Sequence, residues 1–416
     1  MIDFFKHENS EDEDAKKKAA EEQDDASEDE AAAETSEGDA YMAALWSYNP
    51  KAPEMGMRDA KELEQLFYEN EFHFTKGAYQ PGELAFMAAF SERLIQKLME
   101  GRAEEVKRQK TLKEKTEEDR LKLKQLEELL QVTINRRRVV LQDLAPWVRD
   151  LERIRYFRSS FTGQPYIDAK GRVFLFTEKE AVKRAAERAE TLPDAELAEA
   201  SPEALNQALY LNGCEVTVYN DGVISYTAGR KELFGPAPAE DVPEGEAVPD
   251  PNRILRYFVL GFLQLVRSPQ EGNPENKQKI LTQFEAQMAP RLLQAKMYFA
   301  VKEERDDQML FTLLTDGQGH EAVACYTDPY SIPEDRSFKL KELSFYFVAA
   351  KLAEEEGEPN GILINPGELN FFMDKNWLRR LAGFGRYIQK KAAEKKQKGE
   401  NSTSEEHAPS DPEAGK

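Results

Sequence analysis

The residues with the most chemistry to offer lie in one short segment, Asp316-Gly317-Gln318-Gly319-His320. The carboxylate of Asp316 and the imidazole of His320 could ligate a cation, and backbone N–H groups beside Gly319 could approach an anion. However, Asp-Gly between two apolar runs is a strong signal for a hairpin turn, and the pattern favours that interpretation. A similar stretch at 168–171 has no histidine, so the sequence offers no second copy of such a site.

A second loop, Asn365-Pro366-Gly367, could also present backbone groups to a ligand. Its simpler role is a tight turn, because proline presets its own φ and glycine supplies a positive φ at the next position. The pattern therefore predicts a type II turn in which Gly367 has a positive φ.

Other catalytic chemistry finds no support in the sequence. Two of the four histidines, His7 and His407, fall near the chain ends, and neither Cys214 nor Cys325 has the spacing of a zinc or redox motif. The phosphate-binding, dinucleotide-binding and zinc-protease motifs are all absent from the sequence. We therefore expect no enzyme activity, no catalytic residues, no cofactor and no metal.

The chain carries 57 Lys and Arg against 78 Asp and Glu, a net charge of −21. Such a charge disfavours a nucleic-acid partner, because the phosphate backbone would be repelled. The main basic clusters are Arg136–Arg138 and Lys390-Lys391 with Lys395-Lys396. They favour a solvated face or a salt-bridge partner for the acidic tail, with an RNA or anionic-lipid contact as the alternative.

Most of the net negative charge lies in the first 40 residues, which hold 16 acidic residues and 4 lysines. Residues 8–39 contain no aromatic or branched aliphatic side chain, so they cannot bury enough apolar surface to offset the entropy of ordering. We predict a disordered acidic tail over 1–40. The apolar clusters at 2–5 and 41–48 either pack loosely on the body or act as a docking peptide.

The predicted location is the cytoplasm. Two cysteines in apolar runs indicate a reducing compartment, and the first residues lack the pattern of a signal peptide. The longest apolar helical run, 254–266, is interrupted by Arg256 and Gln264 and is too short for a membrane span.

Periodicity predicts an α+β fold. Helices are expected from Asp59, after Pro81 and then as one long exposed helix; a sustained heptad repeat is missing, so weak self-association is favoured over a stable coiled coil. The predicted strands are 154–157, 173–176, 216–219, 297–301, 310–314, 322–326 and 362–364. After the long helix, two helices are predicted between 177 and 216, and further helices at 252–267, 275–294, 340–355 and 377–391. The predicted division is an acidic tail (1–40), a helical segment (41–140), a first module (141–235), a Pro/Glu linker (236–251), a second module (252–385) and a polar tail (386–416).

The two modules look like copies of one unit. Residues 216–226 align without gaps on 361–371, and in both an apolar strand runs into Asn-x-Gly. Upstream, Thr177 corresponds to Thr327, each after an apolar strand. The same elements in the same order, with similar spacing, predict a duplication.

These motifs resemble the SseB family. Gly361-Ile362-Leu363-Ile364-Asn365-Pro366-Gly367 is similar to its apolar-strand–Asn-Pro-Gly motif, and 323–328 and 171–180 are similar to its Phe-Thr-x-x-Glu strand end. The first copy departs from the family at Asp221, where the family has proline. The resemblance covers about 150–235 and 252–380 but not 1–140, and 252–301 resembles the family's two leading helices and first strand.

The resemblance implies a bacterial cytosolic protein, and no reaction is firmly attached to that family. We expect a non-enzymatic interaction or regulatory protein with a protein partner. The alternative is a small-molecule sensor, for example for an amino-acid-related ligand, or an enzyme with its site between the modules. A cleft with convergent polar groups at the module interface would favour the alternative, and an exposed apolar surface would favour the first interpretation.

Overall fold

The computed structural model describes residues 58–69, 78–112, 116–168, 170–192, 194–220, 224–240, 250–267, 274–305, 308–315, 321–334 and 336–404. Within them the α+β prediction is confirmed: ten α-helices accompany a sheet of five strands and a sheet of seven. The predicted tail over 1–40 and the segment Asp316–His320 lie outside the described residues, so both predictions stay untested. None of the described helices has the length and hydrophobicity of a membrane span.

The chain begins with helices α1 (Ala60–Glu69), α2 (Pro81–Thr111) and α3 (Glu117–Arg149). The prediction of one long exposed helix is wrong, because the first helix ends at Thr111 and Thr116 caps a new one. Pairs such as Arg102–Glu127 show that α2 and α3 run antiparallel. The predicted boundary between 140 and 141 is also wrong, since Val140, Leu141 and Leu144 of one continuous helix are buried in the core.

The first module continues with β1 (Ile154–Ser159), β2 (Val173–Phe176), α4 (Lys179–Ala189), β3 (Ala195–Ala200), α5 (Pro202–Leu211), β4 (Val216–Tyr219), β5 (Tyr226–Gly229) and α6 (Arg230–Phe234). The second module consists of α7 (Asp250–Arg267), α8 (Pro274–Gln294), β6 (Lys296–Arg305), β7 (Gln308–Phe311), β8 (Leu313–Thr315), β9 (Glu321–Tyr326), β10 (Lys339–Ser344), α9 (Phe345–Glu354), β11 (Gly361–Ile364), β12 (Phe371–Asp374) and α10 (Lys375–Ser404).

The two sheets have the same topology. Strand order is β3-β1-β2-β4-β5 in the first and β10-β6-β9-β11-β12 in the second. Every corresponding pair has the same direction, with one parallel pair in each sheet, β2–β4 and β9–β11. The register agrees as well, because Tyr156 faces Leu175 as Phe299 faces Cys325. The predicted duplication is confirmed at this level.

The duplication extends further upstream than the sequence motifs. The antiparallel pair α2–α3 precedes β1 as the pair α7–α8 precedes β6. In the first copy α3 packs on α5 and α6, and in the second copy α8 packs on α9 and α10. Each module is therefore a helical hairpin followed by a five-strand unit, and residues from 81 onward belong to the first copy.

The copies differ in two places. The second contains the short strands β7 and β8 between β6 and β9, where the first has an irregular connection. The first covers one sheet face with α4, packed over Phe157 and Phe176. In the second, the described residues between β9 and β10 form a 3₁₀ turn at Pro329–Ser331. The position of Phe157 is taken by Ala300, so the second sheet has less apolar surface to cover on this face.

The predicted linker 236–251 is only partly irregular. Ala237 and Ala239 are buried, and the Ala239 N–H donates to Gln207 at 2.9 Å, while Asp250 already belongs to α7. Residues 241–249 lie outside the described residues. The predicted polar tail from 386 is helical up to Ser404, as the continuation of α10.

Candidate functional site

In each copy, the asparagine that directly follows a central strand has a structural role. Asn220 follows β4, and Asn365 follows β11. Asn365 accepts a hydrogen bond from the Thr327 backbone N–H at 2.8 Å, and its amide donates to the Thr327 hydroxyl at 2.8 Å. Asn220 makes the same two bonds to Thr177, at 2.8 and 3.0 Å. Both asparagines have φ near +50° (55° and 48°) and are buried. Their side chains are therefore engaged within the fold.

The Asn365-Pro366-Gly367 loop is the predicted type II turn. The Glu368 N–H donates to the Asn365 carbonyl at 3.1 Å, and Gly367 has φ +86°. The Gly367 N–H donates in turn to the Asn370 side chain at 2.8 Å. In this geometry the loop's asparagine and glycine serve the turn, and a ligand role is not needed to explain them.

The structure cannot place the other predicted loop residues, Asp316, Gly319 and His320, because they lie outside the described residues. Among the described residues, no group of three or more His, Cys, Asp and Glu side chains could hold a metal ion.

A buried arginine that the sequence motifs did not single out joins the two modules. Arg256 of α7 is 1% exposed, and it bonds to Asp328 at 2.9 Å and also to Glu368. Its Nε donates to Asn212 of the first module at 3.1 Å. Burial by itself lowers the pKa of Arg256, but the charges of Glu368 and Asp328 outweigh burial and raise the pKa.

A second arginine of α7, Arg253, also contacts the first module. We call the contacts that Arg253 and Arg256 make with the first module the joint. The Arg253 guanidinium lies 3.8 Å from the centre of the Tyr210 ring and donates to the Tyr210 carbonyl at 2.9 Å. It also pairs with Glu215. Gly213 allows this approach, because a Cβ at that position would lie 2.8 Å from the Arg253 carbonyl oxygen.

A cavity of about 290 Å³ lies beside this joint, between the β1–β2 connection and the helices α7 and α8. Two of its polar groups are engaged within the fold. The Asp168 carboxylate accepts from Arg172 at 2.7 Å, and the Gln264 amide bonds to the backbone of Ile167. Burial raises the pKa of Tyr257, which also lines the cavity, to about 12. This lining shows no acid–base or nucleophile pair.

A groove of about 450 Å³ lies in the second module and is mostly apolar. One wall is the β7–β8 connection and the other is α9. Three large side chains remain exposed there: Leu310 is 50% exposed, Leu313 39% and Phe347 57%. Lys351, Glu355 and Pro359 also line the groove.

The groove corresponds to the part of the first module that α7 covers. In the first copy α7 runs from the C-terminal end of α5, at Tyr210–Gly213, to the β1–β2 connection, at Ile167 and Phe161. In the second copy the same parts, the C-terminal half of α9 and the β6–β9 connection, form the groove. None of the described elements covers it as α7 covers the first copy.

The sequence contains residues that indicate the joint, but none that indicate the groove. Arg256 and Gln264 interrupt an apolar helix, and both proved to be buried joint residues. The groove depends on β7 and β8, which the sequence predicted as one strand over 310–314. The chain breaks that strand at Thr312, whose N–H donates to the Ala300 carbonyl at 2.8 Å.

The basic cluster at 136–138 is partly used inside the fold. Arg136 donates to the carbonyls of Phe67 and Tyr68, both at 2.6 Å, and Arg137 pairs with Glu92 at 3.2 Å. These bonds tie α3 to α1 and α2. The predicted partner of this cluster, the acidic tail, lies outside the described residues.

Comparisons with protein-family models, with curated proteins and with solved structures give no match to this chain. The function must therefore be inferred from the residues and their geometry, together with the sequence resemblance described above.

Proposed function

We propose that this chain is an SseB-like, non-enzymatic interaction protein of the bacterial cytosol, and that the groove of its second module binds a segment of a protein partner. The observation that carries the proposal is the groove itself. Leu310, Leu313 and Phe347 are exposed at a place that the first copy covers with a helix. A contiguous exposed apolar surface is typical of a protein-binding site.

The energetics support a protein segment as the ligand. Fully burying one Leu or Phe side chain contributes about 1.5–3 kcal/mol, so completing the burial of three half-exposed side chains contributes on the order of 3 kcal/mol. A partner that also fills the 450 Å³ groove gains further contacts with Phe311 and Leu352.

The charged groups of the groove support binding over catalysis. Lys351 lies 5.7 Å from the centre of the Phe347 ring, where a cation is stabilised by the aromatic face. Glu355 follows the last turn of α9. No nucleophile with an adjacent base lies among the described groove residues, which is the arrangement that covalent catalysis requires.

A site-specific photo-cross-linker tests this proposal. A benzoyl-phenylalanine in place of Phe347 should give discrete protein adducts in cells that naturally express the protein. The matched control is Phe372, an exposed aromatic residue of β12 outside the groove. Adducts that are equal at both positions, or absent at 347, would contradict the proposal. Leu310→Asp in the Phe347 variant should abolish the adducts.

The cavity beside Tyr257 favours a second candidate function, that of a small-molecule sensor. A volume of about 290 Å³ suffices for a ligand of amino-acid size. A ligand bound there would raise the thermal midpoint of the protein, and Ile280→Trp, which enlarges a side chain of the cavity lining, should abolish that rise. A screen of amino acids without any such shift would remove this candidate.

A further inference from the structure

The joint between the two modules shows what kind of segment the groove would accept. Asn212 caps the C-terminal end of α5 and accepts a hydrogen bond from Arg256 of α7. The corresponding cap of α9 is Glu355, an exposed carboxylate. A carboxylate at this position favours a cation more strongly than an amide does. The expected occupant is therefore a helix with an apolar face and a basic residue near Glu355.

The acidic character of this end of the groove extends beyond one residue. Glu358 precedes Pro359 of the groove, and its charge raises the pKa of Glu321. Two carboxylates that repel each other favour a cationic neighbour. The end of the groove thus complements a positively charged helix.

Helix α10 has these properties on a face that its own module does not use. Its first apolar stripe, which includes Leu378, Leu381 and Ala382, is buried against the core. A second stripe is exposed, with Phe384 at 36%, Tyr387 at 51% and Ile388 at 43%. The spacing i, i+3, i+4 places these three side chains on one face. Two basic residues, Lys390 and Lys391, lie beside the stripe.

We propose that α10 of a second copy docks in the groove, so that two chains form a dimer through reciprocal contacts. The side chains of Phe384, Tyr387 and Ile388 would pack on the exposed groove residues, with a basic residue of the helix near Glu355. This inference rests on the proposed function and names the partner as a second copy of this chain. The chain's own α10 is held elsewhere, because it packs along α8 and α9 and Arg379 donates to the Ala353 carbonyl at 3.3 Å.

Cross-linking of mixed variants tests the contact directly. Phe347→Cys and Ile388→Cys are placed in separate full-length chains, mixed, and treated with a short bismaleimide. Cross-linked dimers should form in the mixture at least tenfold more than in a control mixture of Met99→Cys with Ile388→Cys. Met99 is as exposed as Phe347 but lies on α2.

The native cysteines should not contribute to this reaction. Cys214 and Cys325 are buried, and burial raises the pKa of Cys214 to about 12, so its reactive thiolate is scarce near pH 7. All three introduced cysteines replace exposed side chains, and circular dichroism checks that each variant is folded. Equal cross-linking in the two mixtures would overturn the proposed contact.

Sedimentation velocity tests the charge requirement. Glu355→Lys should weaken the dimer about tenfold, because an attraction becomes a repulsion. Adding Lys390→Glu with Lys391→Glu should restore most of the loss. The control is Glu356→Lys, an exposed neighbour that does not line the groove. Equal effects of Glu355→Lys and Glu356→Lys would contradict the assigned contact.

The outcomes separate this inference from the proposed function. A chain that stays monomeric at high concentration, yet gives Phe347-dependent adducts with a different protein, would overturn the dimer and leave the groove function standing. A monomer without such adducts would overturn both.

Discussion

Asn365 and Thr327 are joined by a backbone-to-side-chain bond of 2.8 Å, and the first copy repeats this bond at the same length between Asn220 and Thr177. The repeated bond explains why Asn-x-Gly follows both β4 and β11. A residue with positive φ is needed there, and asparagine tolerates that conformation while its amide satisfies the buried N–H of the threonine.

Asn365→Ala should lower the free energy of unfolding by about 2–3 kcal/mol. The substitution leaves the buried Thr327 N–H without its acceptor and places alanine at a positive φ. Asn370→Ala is the control, since Asn370 also has a positive φ, 51°, but is exposed, so water can replace its bond to the Gly367 N–H. It should cost about 1 kcal/mol less than Asn365→Ala in urea unfolding. Equal losses would mean that the buried hydrogen bond to Thr327 adds nothing to the cost of replacing an asparagine at positive φ.

Gly367→Ala should destabilise the protein by about 1 kcal/mol, because only glycine adopts φ +86° without strain. A Cβ there would meet no other atom within 4 Å, so the whole effect comes from the backbone. Gly383→Ala provides the opposite sign, since Gly383 lies inside α10 with equally open surroundings. That substitution should stabilise by about 0.5–1 kcal/mol. An unchanged thermal midpoint for Gly367→Ala would contradict the turn assignment.

The sequence predicts the apolar central strands well but not β3 and β10, which form one edge of each sheet. It predicts only helices between 177 and 216 and a helix over 340–355, because Ala, Glu, Leu and Lys favour helices locally. In the structure Ala195–Ala200 pairs with all six residues of β1, and Lys339–Ser344 pairs with β6. Pairing with a neighbouring strand outweighed the local preference, and a single sequence does not show which strand will be the neighbour.

The sequence does not predict the groove or the bonds of the joint, for a related reason. Arg256 bonds to Asp328 and Glu368, which lie 72 and 112 positions further along the chain. Spacing rules cover helical turns and hairpins, so they cannot bring such residues together. The loop prediction at Asn365-Pro366-Gly367 succeeded because that turn is a purely local property.

The hairpin formed by α2 and α3 should lose stability in acid. A hydrogen bond from the Arg108 side chain lowers the pKa of Glu105 to about 2. The pKa of Asp119 is also lowered to about 2, mainly by a hydrogen bond with the Thr116 hydroxyl and next by one from Arg108. The ordinary values are 4.5 and 3.8. Because both values are lowered on folding, the two carboxylates stabilise the folded state above about pH 4.5, and this contribution disappears as the pH falls towards 2.

Hydrogen exchange at the tip of this hairpin measures the effect. Protection of residues 105–111 in the wild type should fall between pH 5 and pH 3, after correction for the intrinsic exchange rate. In the variant Glu105→Gln with Asp119→Asn the fall should be much smaller, because neither group titrates. Glu104→Gln, an exposed neighbour, is the control and should behave as the wild type. The same fall in all three proteins would exclude these carboxylates as its cause.

Arg256→Ala should be the most destabilising of these substitutions, at about 3–5 kcal/mol. It leaves Asp328, which is 0% exposed, in the core without its cation, and it removes the link to Asn212. Arg253→Ala is the matched control on the same helix. Its partner Glu215 is 49% exposed, so water can replace the arginine, and the expected loss is about 1 kcal/mol. Asp328→Asn should recover part of the loss in the Arg256→Ala background, since it removes the buried charge while keeping the shape. If the double variant is as unstable as the sum of the single variants, the two residues are not coupled, and the joint does not depend on this ion pair.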